Sequence, residues 1–495
     1  MPEGRARLLA ATLARLVARE AGDSIGGEPS LRQQRRARAI RVAFENLGPL
    51  YVKVGQMLST RPDFVSEATI EELGKLHDRV PAAPFAEFEP VLEEELGHAW
   101  ERRFRHIDTD HPLGSASLAQ VYRARLTDGR PVAVKVQRPG IGSVVRSDMA
   151  VLRRAARVVT AARPTFNAVV DVHAMLDLIF ESVGNELDFT AEAANMELGR
   201  AQAEEFDLIT VPGVVTATPR VLVQDLAGGR SIRDVDHREF DDDDERLAVA
   251  HDLLAFMYRS YFVGRHFHAD PHPGNVFVEP GRGAYLIDWG MIGRIDRPLS
   301  LKLALTLINI AQNDGEGAAR AWVEMGKPMS WADVTGFAGD VSALVPRAAI
   351  ASLEELNFGL TLTTVLRHST KRGIRINPVV PMLGKSFANA EGSIRCLAPE
   401  LSAAEVLRDE LADIVVDLAC ESLSESHLAR GVVELLLATN GSQDHARGIL
   451  RDVFNRDLSF GVNSRNPDLR RLTPGRLLCG ALAGTAGVWL WRRAR

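Results

Sequence analysis

The run His268-Ala269-Asp270-Pro271-His272-Pro273-Gly274-Asn275, followed by Tyr285-Leu286-Ile287-Asp288-Trp289-Gly290, holds the side chains best suited to chemistry in this chain. Moving a phosphoryl group from ATP needs a carboxylate to orient the attacking hydroxyl, and hard oxygen ligands that hold Mg²⁺ against the phosphates. An aspartate, an asparagine five residues on and a second aspartate behind an apolar strand supply those parts. Asp270 is the candidate catalytic group, and Asn275 and Asp288 are the candidate metal ligands. Gly274 and the prolines fix the loop. A lone Asp-Trp-Gly would say nothing, and a capped polar turn can look similar. The combined pattern, with Asn275 and Asp288 13 positions apart, is specific.

Such a site also needs a strand lysine to meet the α and β phosphates, and a helical glutamate to orient that lysine. Val132-Ala133-Val134-Lys135 places Lys135 at the end of a β-rich run. The acids that could pair with it lie in Asn185-Glu186-Leu187-Asp188-Phe189-Thr190-Ala191-Glu192. Asp188 and Glu192, four apart, are expected to share a helix face. Ahead of the first strand, Gly114-Ser115-Ala116-Ser117 offers small residues that let backbone approach phosphate. These elements succeed one another along the chain: hairpin, lysine, helical acid, hinge strand, then Asp, Asn and Asp.

Several segments must position them. The first hundred residues are helical in pattern, as in Arg35–Leu47 and Phe88–Leu96, with a loop at Pro81 and Pro84. Val121–Leu126 and Pro131–Gln137 flank an Asp-Gly turn, a strong hairpin signal. Ser147 and Asp148 are expected to cap a helix through Val159, and a further helix is expected from Ala174 to about Phe206 with a break near Gly184–Glu186. Val221–Asp225 reads as a strand ending in a hinge at Leu226-Ala227-Gly228-Gly229. The acidic run Asp241–Glu245 suits a solvated loop or a helix start, and beyond residue 300 the chain is mostly helical.

Bulk properties suit an ordinary globular protein. Apolar residues are 46% and charged residues 25% of the 495, and the net charge of −6 gives no reason to expect a nucleic-acid partner. The three cysteines, Cys396, Cys420 and Cys479, lack zinc spacing and suggest a reducing compartment. Arginines interrupt residues 1–22, which read as an amphipathic helix rather than a signal peptide. The stretch Leu477–Trp491 carries no charge and is bounded by Arg476 and by Arg492, Arg493 and Arg495. As a helix it would be about 22 Å long, against a hydrocarbon core of about 30 Å. Snorkelling arginines and terminal tryptophans could close the gap, and Gly480 and Gly484 would allow a helix pair, so a membrane anchor and a homodimer through this helix are expected.

Together these stretches resemble the UbiB/AarF family of atypical, protein-kinase-like (ABC1-type) proteins. Lys53-Val54-Gly55-Gln56 matches that family's Lys-x-Gly-Gln hallmark, Glu186-Leu187-Asp188 its Glu-x-Asp motif, and Gly114–Ser117 its alanine-rich loop. The resemblance spans roughly residues 40–300. It implies an α+β, bilobal protein-kinase-like fold with an N-terminal helical extension covering the cleft and a mostly helical C-terminal region. The expected divisions are 1–105 (extension), 106–228 and 229–400 (two lobes), 401–475 (helical) and 476–495 (anchor). It implies that Lys53 and Gln56 join the nucleotide site, that Lys53 pairs with Glu186 or Asp188, and that Lys135 pairs with Glu192. ATP and Mg²⁺ are the implied cofactors, and a membrane lipid, an isoprenoid intermediate or a protein substrate the implied partners. The implied place is the cytoplasmic face of a membrane, in support of isoprenoid quinone or other lipid metabolism. Trp289 stands where the family usually has Phe, and Gly114 and Ser115 replace alanines, which leaves nucleotide preference open. Two rivals stand beside this reading: a small-molecule phosphotransferase of the aminoglycoside-kinase type, and a non-catalytic lipid-binding pseudokinase.

Overall fold

Valines at every second position turn Pro131–Gln137 into a strand with one apolar face, and the rest of a sheet is built around it. In the computed structural model this six-stranded antiparallel sheet contains β1 (Phe104–Ile107), β2 (Gly114–Ser115), β3 (Ala119–Leu126), β4 (Pro131–Gln137), β6 (Val214–Ala217) and β7 (Val221–Asp225), in the order β1-β3-β4-β7-β6 with β2 on β3. The structure describes residues 4–5, 7–12, 14–15, 29–59, 65–76, 80–162, 172–350, 358–377 and 379–422. The expected anchor at 477–491 lies outside them. Among the described residues no helix is long and apolar enough to cross a membrane.

Val132, Val134 and Val136 are buried against Phe88, Val91 and Leu92 of the helix Glu89–Leu96 and its first flanking turn, which cover one face of the sheet. Each such side chain contributes about 1.5–3 kcal/mol by leaving water. The alternation therefore turns Ala133 and Lys135 to the other face. Lys135 sits mid-sheet, opposite Val121 on β3 and Leu222 on β7.

Below this sheet the chain is mainly helical. A small four-stranded sheet has the order β5-β11-β10-β8, from β5 (Ile209–Thr210), β8 (Arg230–Ser231), β10 (Val276–Glu279) and β11 (Gly283–Leu286). The pair β9 (His266–His268) and β12 (Ile292–Arg294) lies next to it in sequence. The expected hinge is the link from β7 to β8, so residues 226–229 join the two sheets. Gly229 has φ 66°, and a Cβ there would stand 1.9 Å from the Val278 carbonyl oxygen. Only glycine fits that turn.

Six helices frame the cleft. They are α1 (Pro29–Leu47), α2 (Pro49–Ser59), α3 (Ile141–Ala162), α4 (Val172–Glu186), α5 (Phe189–Ala203) and α6 (Val379–Leu397). Leu50, Tyr51 and Val54 of α2 share a core with Val145 and Met149 of α3 and Ile179, Phe180 and Val183 of α4. The N-terminal extension is thereby packed onto helices that lie between strands β4 and β6 of the upper sheet in the chain. The fold is α+β and bilobal, of protein-kinase-like type.

Two helix boundaries differ from expectation. Helix α3 starts at Ile141, after the Pro139-Gly140 turn, so Ser147 and Asp148 lie inside it. Asp148 is 1% exposed and accepts the Arg5 guanidinium, which also donates to the Leu47 carbonyl. Its role is to hold the N-terminal segment rather than to cap. The break between α4 and α5 falls at Leu187-Asp188, leaving Gly184 helical. Asp188 accepts from the Thr190 amide and starts a new helix, which outweighs the weak stop signal of one glycine. The acidic run does begin a helix, with Asp242 capping Asp243–Arg259.

The chain divides into two units, Met1–Ile414 and Val415–Arg495, and the cleft lies within the first.

Gly229→Ala should lower the unfolding free energy by about 2 kcal/mol or more, because strain at positive φ adds to the clash with Val278. Gly129→Ala, at φ 91° on an open turn, meets no neighbouring atom and should cost about 1 kcal/mol. Urea midpoints compare the two, and equal shifts would deny the close approach.

Candidate active site

The cleft face of β4 presents Lys135 to a pair of acids. Its ammonium donates to both Glu192 oxygens at 2.9 Å and to Asp288 Oδ1 at 3.0 Å. Glu192 comes from the first turn of α5, and Asp288 lies just past β11, 153 positions beyond the lysine. Helix α5 meets the Asp-Trp-Gly segment along one stripe. Glu192 faces Lys135, Asn195 donates to the Trp289 carbonyl at 3.0 Å, and Gly199 leaves room for the Trp289 ring. Any side chain at Gly199 would meet that ring within 2.3 Å. The tryptophan in the expected phenylalanine position is thus matched by a glycine on the facing helix. Asp288 itself has φ 61°, a strained conformation that aims its carboxylate toward Lys135.

The hairpin β10–β11 explains the spacing of the two candidate metal ligands. Val276 pairs with Leu286, and the Ile287 amide donates to the Asn275 carbonyl at 3.0 Å, so Asn275 and Asp288 end at the same edge. Asn275 donates through Nδ2 to the Asp270 carbonyl at 3.1 Å, which leaves Oδ1 as its acceptor atom. His268 is 1% exposed and locks the loop. Its Nε2–H donates to the Ile287 carbonyl at 3.0 Å, and its Nδ1 accepts the Asp270 amide at 3.2 Å. Those two partners fix a neutral tautomer, and burial pushes its pKa down in the same sense.

Asp270 is held by residues that sequence reasoning missed. Lys385 donates to Oδ2 at 3.2 Å and Asn389 to Oδ1 at 2.5 Å, both from α6. Ser386 and Ser393 of the same helix donate to the carbonyls of His268 and Pro271 at 2.6 and 2.7 Å. The available signal was the recurrence of polar residues at helical spacing, at 385, 386, 389 and 393.

The N-terminal extension contributes Lys53, whose ammonium lies 3.0 Å from Glu186 Oε1. Of the two acids open to it, Glu186 is the observed partner, while Asp188 spends its carboxylate on the Thr190 amide and hydroxyl. Asp188 and Glu192 do not share a helical face, since Asp188 stands before the first residue of α5. Gln56 donates to the Leu76 carbonyl at 3.2 Å, a contact within the extension. Gly114, Ser115, Ala116 and Ser117 form the β2–β3 turn, with Ser117 buried. Arg138, another residue the sequence did not single out, pins that turn by donating to the Ala116 carbonyl at 2.8 Å and the Ser115 hydroxyl at 2.7 Å.

One cation serving two carboxylates cannot stabilise both equally. Burial pushes the Glu192 carboxyl, 2% exposed, up to about 7 against the pull of Lys135, and Asp288 adds to the rise. Lys135 holds the half-exposed Asp288 well below the ordinary carboxylate range, with desolvation opposing and Lys53 helping. Burial works against the Lys135 charge, but Asp288 and Glu192 outweigh it and raise the ammonium. Desolvation pushes the Asp270 carboxyl up, but Lys385, His272 and Lys53 overcome it and leave the group depressed. Lys53 pairs with Glu186, whose side chain approaches Gly290 of the Asp-Trp-Gly segment, which places the extension beside the cleft.

The donors present suit Mg²⁺ carried in with a polyphosphate. Among the described residues no cluster of three or more His, Cys, Asp or Glu forms a cage for a metal ion. Asn275 Oδ1 and the Asp288 carboxylate are hard oxygen donors, and Mg²⁺ is ordinarily bound by one or two carboxylates together with substrate phosphates. The residues fit the ion.

Comparison with known proteins agrees with this geometry. A family model described as "ABC1 atypical kinase-like domain" matches residues 75–322. A Clostridium pasteurianum protein from the hydrogenase 1 5' region is 30% identical over 370 residues, covering 74% of this chain and 69% of its own. "Probable protein kinase UbiB" of Azotobacter vinelandii is 32% identical over 379 residues, with the same coverage of both chains. Among solved structures, the complex of Rv3197 with erythromycin from Mycobacterium tuberculosis matches 72% of this chain and 91% of its own, with TM-score 0.52 and 22% identity. That last likeness is one of fold.

A carboxyl with its folded-state pKa raised binds a proton more readily folded than unfolded. The unfolded value for Glu is about 4.3. Glu192 should therefore contribute stability below pH of about 4.3 that is lost as pH rises to about 7. Denaturation of wild type and Glu192→Gln across that window should give a difference in unfolding free energy that falls with rising pH. A flat difference would mean that Glu192 titrates normally.

Proposed function

We propose a function from one premise: the chain belongs to the ABC1 family of atypical kinase-like proteins. The protein binds ATP with Mg²⁺ in the cleft and transfers the γ-phosphoryl group to a hydroxyl acceptor or to water. It does so in support of isoprenoid quinone or other lipid metabolism at a membrane surface. The observation that carries the reading is Lys135, within 3.0 Å of both Glu192 and Asp288 although they come from distant parts of the chain. Membership of a family with relatives named protein kinase UbiB supports it.

Lys135 is placed to meet the α and β phosphates, with Glu192 orienting it. Asn275 and Asp288 would hold Mg²⁺, which when bound neutralises phosphate charge. The turn at Gly114–Ser117 presents backbone near the phosphates, and Arg138 keeps that turn in shape. Asp270 orients the acceptor hydroxyl. The acceptor oxygen forms a bond to the γ-phosphorus as the bond to the β–γ bridging oxygen breaks. That electron pair leaves on ADP, and the hydroxyl proton passes to Asp270 and then to solvent. Lys53 on α2 is paired with Glu186, and in this reading the extension that carries it covers the side from which an acceptor would enter. That cover favours a restricted acceptor over a freely diffusing one, and it disfavours a phosphotransferase of the aminoglycoside-kinase type.

ATP at about 100 times its Kd should stabilise the wild-type protein by about 2.7 kcal/mol when Mg²⁺ is present. Lys135→Ala and Asp288→Asn should each abolish that increment, measured as the thermal shift of each variant with and without Mg-ATP. An increment undiminished in both would remove the nucleotide from this cleft. ATP turnover measured with and without anionic lipid vesicles tests the membrane part of the reading.

A further inference from the structure

The loop from Asp270 to Asn275 contains no lysine or arginine. Phosphoryl transfer concentrates negative charge where the acceptor, the γ-phosphate and Asp270 meet, and charge developing there is stabilised by a preorganised cation. The structure brings one from 115 positions away. Lys385 Nζ lies 3.2 Å from Asp270 Oδ2.

We propose that Lys385 is a further catalytic residue, the cation that faces the transferring phosphoryl group beside Asp270, and that Asn389 is its companion positioning residue. This rests on the ATP reading above. The geometry argues for a built site rather than a chance pair. Four side chains on one face of α6, at 385, 386, 389 and 393, all bond to residues 268–271. The two serines grip backbone on both sides of Asp270, so the helix cannot shift along the loop without breaking them. Tyr261 stacks on Phe387 at 4.2 Å and hydrogen-bonds Ser386, which fixes the helix from behind. Asn389 takes one Asp270 oxygen and Lys385 the other. The Lys385 side chain remains 26% exposed, so it is not sealed in by the contact with Asp270.

The step balances in charge. Before transfer, Lys385 pairs with ionised Asp270. As the acceptor proton moves to Asp270, that carboxylate loses its charge. The ammonium is then free to meet the negative charge on the γ-phosphoryl oxygens while the O–P bond to the acceptor forms and the bond to ADP breaks. Lys385 keeps its own protons throughout.

The test uses the full chain, Mg-ATP turnover and a parallel measurement of Mg-ATP affinity by thermal shift. Lys385→Met should lower kcat by about 100-fold, the scale of losing one preorganised donor, with affinity within about twofold of wild type. Lys385→Arg should retain more turnover than Lys385→Met, because it keeps the charge. Asn389→Ala should lower kcat by less than Lys385→Met does, with Mg-ATP affinity again within about twofold of wild type. Turnover of Lys385→Met close to wild type overturns the proposal and leaves the ATP reading standing. A joint loss of affinity and thermal stability in both Lys385→Met and Lys385→Arg also overturns it, because that is the signature of a purely structural contact. Wild-type protein that neither binds nor turns over Mg-ATP overturns both.

Discussion

The ammonium of Lys135 is shared between two carboxylates that reach it from opposite directions. The lysine belongs to the upper sheet, Glu192 to a helix later in the chain, and Asp288 to the end of a hairpin in the lower part of the protein. A charge taken out of water needs partners to remain there, and these two acids are its partners. Holding all three in register requires β4 to sit mid-sheet, α5 to start at Asp188, and β10–β11 to close with Asn275 beside Ile287. Much of the fold can be understood as the means of meeting those requirements at once.

Helix α5 shows how local choices serve that constraint. Its side chains at 192, 195 and 199 form one stripe, and each meets a different part of the Lys135, Asp288 and Trp289 group. Glycine inside a helix costs about 0.5–1 kcal/mol relative to alanine. At Gly199 that cost admits a 2%-exposed tryptophan ring, whose Nε1–H is satisfied by the Leu286 carbonyl. The Trp289 backbone is then held by Asn195, one residue beyond the strained Asp288. Strain at Asp288 persists because its neighbours over-determine it.

The hairpin, the lysine strand, the hinge and the Asp, Asn, Asp pattern were legible in the sequence because each is a local signal. Alternating valines, an Asp-Gly turn and paired glycines act over a few residues. The acids were legible as a group but not in their pairing, since Glu186 ends one helix and Asp188 caps the next, a division that depends on one side chain reaching one amide. Lys385, Asn389 and Arg138 were not legible. Lysine and asparagine on a long helix usually mark a solvated face, and only tertiary placement turns that face onto Asp270. The opposite error occurred at Asp148, where a good capping residue is buried in mid-helix because Arg5 reaches it from the far N-terminus.

Three lysines from three remote segments each meet an acid in this cleft: Lys53 with Glu186, Lys135 with Glu192 and Asp288, and Lys385 with Asp270. Partly buried ion pairs of this kind add little net stability, because desolvation offsets their attraction. Their use lies elsewhere. A lysine without a partner would sample many rotamers, at an entropy cost of up to about 2 kcal/mol when a ligand fixed it. The acids hold the ammonium groups near where phosphate oxygens would need them, so much of that ordering is done at folding. If each pair is close to balanced, a polyphosphate bound with its metal as proposed would share the lysines without a large penalty. The near-neutral energetics of the pairs would thus leave the cleft both ordered and open to exchange.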